Sequence, residues 1–396
     1  MILLNTMRIA VIGAGLAGCE AVNLLLKNNL TVHLYEMKPK KFSPAHKLST
    51  FAELVCSNSL KTTRETHPQG MLKYELLSLN SLILSKALLA KVPSGDALSV
   101  DRVLLSKLVT DELMTKKNLE IITEEVDKLP EGYDYYIIAT GPLTSENFSR
   151  YIADELLQSD SLYFYDAIAP IVDAESIDKS RVFFGSRFNK GGDDYLNIPL
   201  TKEAYFNFLT NLRKADKVPL REFEKPKYYE GCLPIEVLAE RGDDTLAYGP
   251  MKPIGFDEKK IGFKPYAIVQ LRKEDKEGTA YNIVGFQTKL TIKEQERIFR
   301  MLPGLEKAVF LRYGSIHRNT FIDAPKHLNI TLNLKDKENI YFAGQITGVE
   351  GYVESIATGL LSALFLIFNI KNINPIMPSR RTALGALLSH IDNKIS

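Results

Sequence analysis

The 396-residue chain carries 50 Lys plus Arg against 48 Asp plus Glu, a formal net charge of +2, so any polyanion partner has to be met by a local basic patch. With 45% hydrophobic and 25% charged residues it has the composition of an ordinary globular protein, long enough for two or three domains. Its three cysteines, Cys19, Cys56 and Cys232, lie far apart with no CxxC pair, which argues against a disulfide framework and against a metal site, and fits a reducing, cytoplasmic setting.

The opening MILLNT has no cationic start and runs straight into a strand pattern, so it does not read as a secretory leader. Residues 7–13 form an apolar strand ending in glycine, residues 16–28 a helical pattern, and residues 31–35 a second strand ending at Glu36. This βαβ opening predicts an α/β fold with a parallel sheet covered on both faces. Gly13, Gly15 and Gly18 give G-x-G-x-x-G at the strand-to-helix turn, and Glu36 follows Gly13 by 23 positions. The first glycine permits the tight turn, the second lets a pyrophosphate approach the backbone, and the third brings helix and strand together. Glu36 is placed to accept ribose hydroxyls. Together these features predict a dinucleotide site in a Rossmann-like domain.

Residues 38–49, with Pro39, Pro44 and several lysines, read as a mobile loop. Helical patterns follow at 70–90 and 102–117, and a buried strand at 135–140 runs into Gly141-Pro142. From about 160 to 310 aromatics, glycine pairs and prolines become frequent, which predicts an inserted α/β domain. A strand at 340–343 then enters a turn containing Gly344, Gln345, Gly348 and Gly351, and a helix covers about 352–368. The apolar run 359–370 is interrupted by Ser362 and is too short to span a bilayer, so it reads as a buried helix and no membrane association is expected. The expected organisation is a discontinuous FAD-binding domain, 1–160 and 311–396, with an insertion domain at 161–310.

FAD is favoured over NAD by the second strand-to-helix turn at 340–351, which can aim backbone N–H groups at the electron-rich edge of a flavin ring. Ala139-Thr140-Gly141 is similar to the strand-end motif that flavoproteins of this fold place beside the cofactor. Only one full dinucleotide fingerprint is present, so NADH or NADPH would approach the flavin without a Rossmann domain of its own.

Cys232 sits in Gly231-Cys232-Leu233-Pro234, and Cys56 precedes Ser57-Asn58-Ser59. Each reads either as a small buried hydrophobe or as a reactive thiol; the second demands partial exposure and surroundings that lower its pKa. Cys19, on the helix just after Gly18, reads as packing.

The blocks ELVCSNSLK, VPSGDALSVDR, YYEGCLPIEVLAERG, RYGSIHRNTFIDAP and FAGQITGVEGYVESIATG resemble the folate- and FAD-dependent tRNA uracil-5-methyltransferase family, over about residues 8–390. The last block is shared with sibling flavoproteins that modify wobble uridine; the two cysteine blocks discriminate. The resemblance implies transfer of a methylene from 5,10-methylenetetrahydrofolate, through reduced flavin, to C5 of a uracil in RNA. It implies Cys232 as the nucleophile adding at C6 and Cys56 as the partner that removes the C5 proton, with the reverse assignment left open. No obligate protein partner is expected.

His317 and Arg318 are candidate substrate-binding residues: the imidazole can stack on a pterin and the guanidinium can meet a carboxylate or phosphate, against the alternative of a structural histidine and a surface arginine. Lys38, Lys40, Lys41 and His46, and Arg380-Arg381, are either phosphate contacts or solvated charge. Relatives usually continue beyond the ALGALL segment, which keeps two RNA substrates open: the tRNA T-loop and 23S ribosomal RNA. Two other functions compete, an FAD-dependent small-molecule oxidoreductase with structural cysteines and a non-catalytic RNA-binding flavoprotein.

Overall fold

The computed structural model describes residues 7–159, 162–189, 192–219, 233–256 and 261–392, the side chains of 162–165, 189 and 318 excepted. Five parallel strands form the first sheet, in the order Ile340–Phe342, Tyr135–Ile138, Arg8–Ile12, Thr31–Glu36, Leu119–Thr123. Ile9, Ala10 and Val11 are all 0% exposed, so the central strand is covered on both faces. That continuous burial is why it reads as an unbroken apolar run.

Two helices meet over this sheet with unusually close backbones. A Cβ on Gly18, in the helix Leu16–Lys27, would lie 1.9 Å from the Gly13 carbonyl oxygen. A Cβ on Gly359, in the helix Tyr352–Ile370, would lie 2.3 Å from the carbonyl oxygen of Ala17. Only glycine allows either approach. The helix Tyr352–Ile370 is long and apolar enough to cross a membrane, yet most of its length is buried inside the protein, which agrees with the core-helix reading.

The expected helix at 70–90 is two helices, Pro68–Ser78 and Leu82–Leu89. Asn80 adopts φ +59°, a left-handed conformation that stops the first, and the Ser81 hydroxyl accepts from Leu84 N–H to start the second. The buried Glu20 carboxylate reinforces that start, accepting from Leu82 N–H and Ile83 N–H and from the Ser81 hydroxyl.

A second, antiparallel sheet has six strands in the order Phe183–Phe184, Tyr195–Leu200, Ala267–Lys273, Ala280–Ile283, Ile171–Asp173, Phe310–Arg312. One face supplies Leu196, Ile198, Val269 and Leu271 to a separate core with Tyr205, Phe208 and Leu212 of the helix Lys202–Lys214. Strict alternation puts Tyr195, Asn197, Gln270 and Arg272 on the opposite, polar face. The strands Leu162–Ile168 and Ser315–Phe321 pair as an antiparallel ribbon at the junction, with Asp166 directly opposite His317. The fold is thus α/β, a Rossmann-like parallel domain plus an insertion carrying its own sheet and core.

Candidate active site

A cleft of about 1110 Å³ runs along the carboxyl ends of the parallel strands, past Gly13–Ala17, Glu36, the 124–126 segment and the 139–145 turn, to Gln345 and Tyr352. Gly13 takes φ +102° and its N–H donates to Tyr35 O at 2.8 Å, which folds the turn tightly. Glu36 is 7% exposed; its two carboxylate oxygens accept from Ala14 N–H at 3.0 Å and Lys38 N–H at 2.9 Å. Gly15 is the N-cap of the helix Leu16–Lys27 without any side-chain cap, so the first N–H groups of that helix face the cleft. A Cβ built on Gly15 or Gly141 meets nothing within 4 Å: beside both glycines the cleft is open. Gly344 and Gln345 close its far end. Gly18 and Gly348 line neither cavity; Gly18 serves helix contact and Gly348 turns against Phe321.

A second cavity of about 1250 Å³ contains Cys56, Asp166, Arg272, His317 and Gly351. Five residues, Val55, Pro142, Leu143, Gln345 and Tyr352, line both cavities. The Cys56 N–H donates to the Tyr352 hydroxyl at 2.9 Å, tying the thiol's own loop to this shared wall.

Three arginines grip the Cys56 loop. Arg102 donates to Leu54 O at 3.0 Å and pairs with the buried Glu274; Arg312 donates to Val55 O at 2.9 Å. Arg272 reaches Asn58 Oδ1 through Nε and Ser57 Oγ through Nη2, both at 2.8 Å. Asn58, 0% exposed, adds donors to Val100 O and Lys273 O, stitching the two sheets' modules together. Burial pushes the Cys56 thiol up to about 12, with Asp166 adding to the rise and Arg102 and Arg312 opposing it. Cys56 is half-buried, and removal from water outweighs the guanidinium charge, which favours its S–H form.

The family model for glucose inhibited division protein A matches residues 8–374. A methylenetetrahydrofolate–tRNA-(uracil-5-)-methyltransferase TrmFO from Aquifex aeolicus is 53% identical over 387 residues, covering 98% of this chain and 86% of that protein. The chain belongs to the TrmFO family. The TrmFO of Myxococcus xanthus is 52% identical over 386 residues, covering 97% of this chain and 84% of its own. Among solved structures, Aquifex aeolicus GidA in its form II crystal superposes with a TM-score of 0.72 at 16% identity, over 99% of this chain and 68% of that one. That likeness concerns the fold.

Of the residues expected to act in this TrmFO-family chain, Gly13, Gly15, Glu36, Gly141, Gly344 and Gln345 gather in the first cleft, and Cys56, His317 and Gly351 in the second. Burial and Arg312 hold the His317 imidazole below its ordinary pKa, and its Nε2 lies 2.9 Å from Ser315 Oγ. Cys232 and Gly231 lie outside the described residues. Arg318 pairs through its backbone with Tyr165, and its side chain is likewise outside them. The 38–49 segment departs from a solvated loop: Lys38 is 5% exposed, its ammonium donates to Thr50 O, and His46 lines the first cleft. Lys40, Lys41, Arg380 and Arg381 are exposed. Cys19 is 0% exposed, its thiol donating to Ala14 O, as packing requires. Sequence reasoning missed Asp166, Arg272, Arg312 and Tyr352. Tyr352 stands in the GYVES block and Arg312 opens the RYGSIHRNTFIDAP block, so both were legible there; Asp166 and Arg272 sit in strands with no local signature.

Proposed function

We propose that this chain is an RNA uracil-5-methyltransferase using FAD and 5,10-methylenetetrahydrofolate, with NADH or NADPH as electron source, and that its substrate is a tRNA uridine in the cytoplasm. The observation that carries this reading is the shared wall: Val55, Gln345 and Tyr352 line both the dinucleotide cleft and the cavity containing Cys56. The relatives' names, which specify methylenetetrahydrofolate and tRNA uracil C5, supply the substrates that fit it.

The residues present suit both groups. For FAD, open space beside Gly15, uncapped helix N–H groups and the buried Glu36 carboxylate match a pyrophosphate followed by a ribose. For folate, Gln69 Oε1 and Glu354 Oε2 are buried acceptors without a hydrogen-bond partner among the described residues, and both residues line the second cavity. The N–H-rich edge of a pterin would satisfy them. When bound, FAD supplies electron storage and carriage of the folate carbon.

The chain's own residues then handle the uracil. Its C5 is a weak nucleophile until sulfur adds at C6, so a thiolate must attack first. The family resemblance assigns that role to Cys232. Cys56, protonated at rest, can donate a proton as it stands, and can take the C5 proton only in a step that has first removed its own. The target base has to leave its stack to reach both.

Purified flavin-loaded protein, given labelled methylene-folate, NADH or NADPH and unmodified tRNA or 23S ribosomal RNA, should place label in tRNA as 5-methyluridine. Label confined to 23S RNA would change the substrate and keep the reaction. Label in neither would reject the reading.

A further inference from the structure

We propose that Arg272 is a catalytic residue of this reaction: its guanidinium binds O4 of the target uracil and stabilises the enolate formed when sulfur adds at C6. The proposal rests on the methyltransferase reading above. Of the three arginines around the Cys56 loop, Arg272 alone lines the second cavity, together with Cys56 and Gln287. It is 8% exposed, so it is a buried cation. Arg102 spends its charge on Glu274 and Leu54, whereas no carboxylate lies within ion-pair distance of Arg272 among the described residues. Nε and Nη2 bond neutral acceptors, Asn58 Oδ1 and Ser57 Oγ. Nη1, with two N–H groups, has no hydrogen bond among the described residues. A buried guanidinium with spare donors beside a cavity calls for an anionic or strongly polarised oxygen.

The reaction makes one. As sulfur bonds to C6, the C5=C6 π bond breaks, its electron pair forms C4=C5, and the C4=O4 pair moves onto oxygen. Negative charge therefore appears on O4, and two fixed N–H donors stabilise it there without reorganisation. When a proton or carbon arrives at C5 the same electrons return, so the step needs no oxidant or reductant. The arrangement also separates bases: cytosine presents N4–H₂ at that position, donor against donor.

The test is release of tritium from [5-³H]uridine in a substrate tRNA, measured without folate on flavin-loaded protein, since exchange at C5 reports the enolate directly. Arg272→Gln should keep its flavin absorbance and lower the maximal release rate by about 100-fold, with KM for tRNA changed less than about tenfold. Arg272→Lys, which keeps the charge and the loop contact but loses the planar fork, should fall between the two. Should Arg272→Gln fail to fold, the lysine variant decides: a wild-type release rate in either variant overturns the proposal. So would a variant whose loss lies wholly in KM. Wild-type protein that releases tritium and methylates RNA while Arg272→Gln does the same sinks this assignment alone; wild-type protein inert on RNA sinks the reaction itself.

Discussion

Single atoms decide whether the cofactor cleft exists and whether it can be filled, and two glycines three positions apart separate the cases. Gly18→Ala would drive a methyl group into the Gly13 carbonyl at 1.9 Å, so helix and strand must part; a destabilisation of about 3 kcal/mol or more is expected in urea melts. Gly15→Ala meets no protein atom within 4 Å, so the flavin-free protein should melt almost unchanged while bound FAD falls by more than about tenfold. Equal flavin content in Gly15→Ala and wild type would remove the pyrophosphate from that spot. His46 gives a pH signature. Burial, helped by Lys38 and Arg312, lowers its pKa to about 4 from 6.5. Below pH 6.5 the unfolded chain takes up a proton that the folded chain refuses until about pH 4. Stability is therefore whole above that window and lost as pH falls through it, on the order of 2–3 kcal/mol. His46→Gln, measured in the flavin-free protein, should lose correspondingly less between pH 7 and 5. Cys232→Ala should stay yellow yet form no covalent adduct with 5-fluorouridine RNA; adduct at normal yield would move the nucleophile elsewhere. At this scale the sequence was informative wherever chemistry imposes local spacing: the glycine triplet, Glu36 and Cys56 were all legible. Arg272 was not, because its meaning depends on Ser57 and Asn58, more than 200 positions away.

Elements that look independent in the chain are fastened by buried polar groups. The Cys56 loop has no regular hydrogen-bonded structure of its own; Arg102 from a helix and Arg272 and Arg312 from two strands fix its course. Glu274, 7% exposed in its side chain, is the carboxylate that pairs with Arg102 in this cluster. Glu274→Gln would leave buried positive charge without that partner and should cost about 3–5 kcal/mol, read as a lower urea midpoint. A double variant with Arg102→Met should recover part of that loss, because it removes the stranded charge as well. Strand and helix positions were readable from periodicity, as in the buried run at 8–12, but the break at 79–81 was not. The apolar pattern continues across it, and only Asn80 in a left-handed conformation, with the Glu20 carboxylate waiting beyond, ends the first helix.

For the whole molecule, the chain crosses between the two cores along a two-stranded ribbon in which Ile168 pairs with Ser315, and side-chain contacts such as Asn58 to Lys273 O and Arg102 to Glu274 add to that link. Residues 169–314 should therefore be replaceable by a short glycine- and asparagine-rich turn. The shortened protein should still bind FAD, with a lowered melting temperature because Arg102 and Asn58 lose Glu274 and Lys273. It should transfer no methyl group, since Arg272, Cys232 and Gln287 would be gone. A folded product that cannot hold flavin would show that the modules are not separable. The split organisation was legible because a strand, a glycine turn and a helix recur at the far end of the chain; that the polar sheet face sends Arg272 to the second cavity was not, since alternation alone does not reveal what a face meets.

That ribbon carries Asp166 and His317 opposite one another, and both border the second cavity. The tether between the halves is thus also a side of that cavity. Residues that border the cavity are carried by the same two strands that link the halves, so a change in the ribbon's pairing would also reshape the cavity wall.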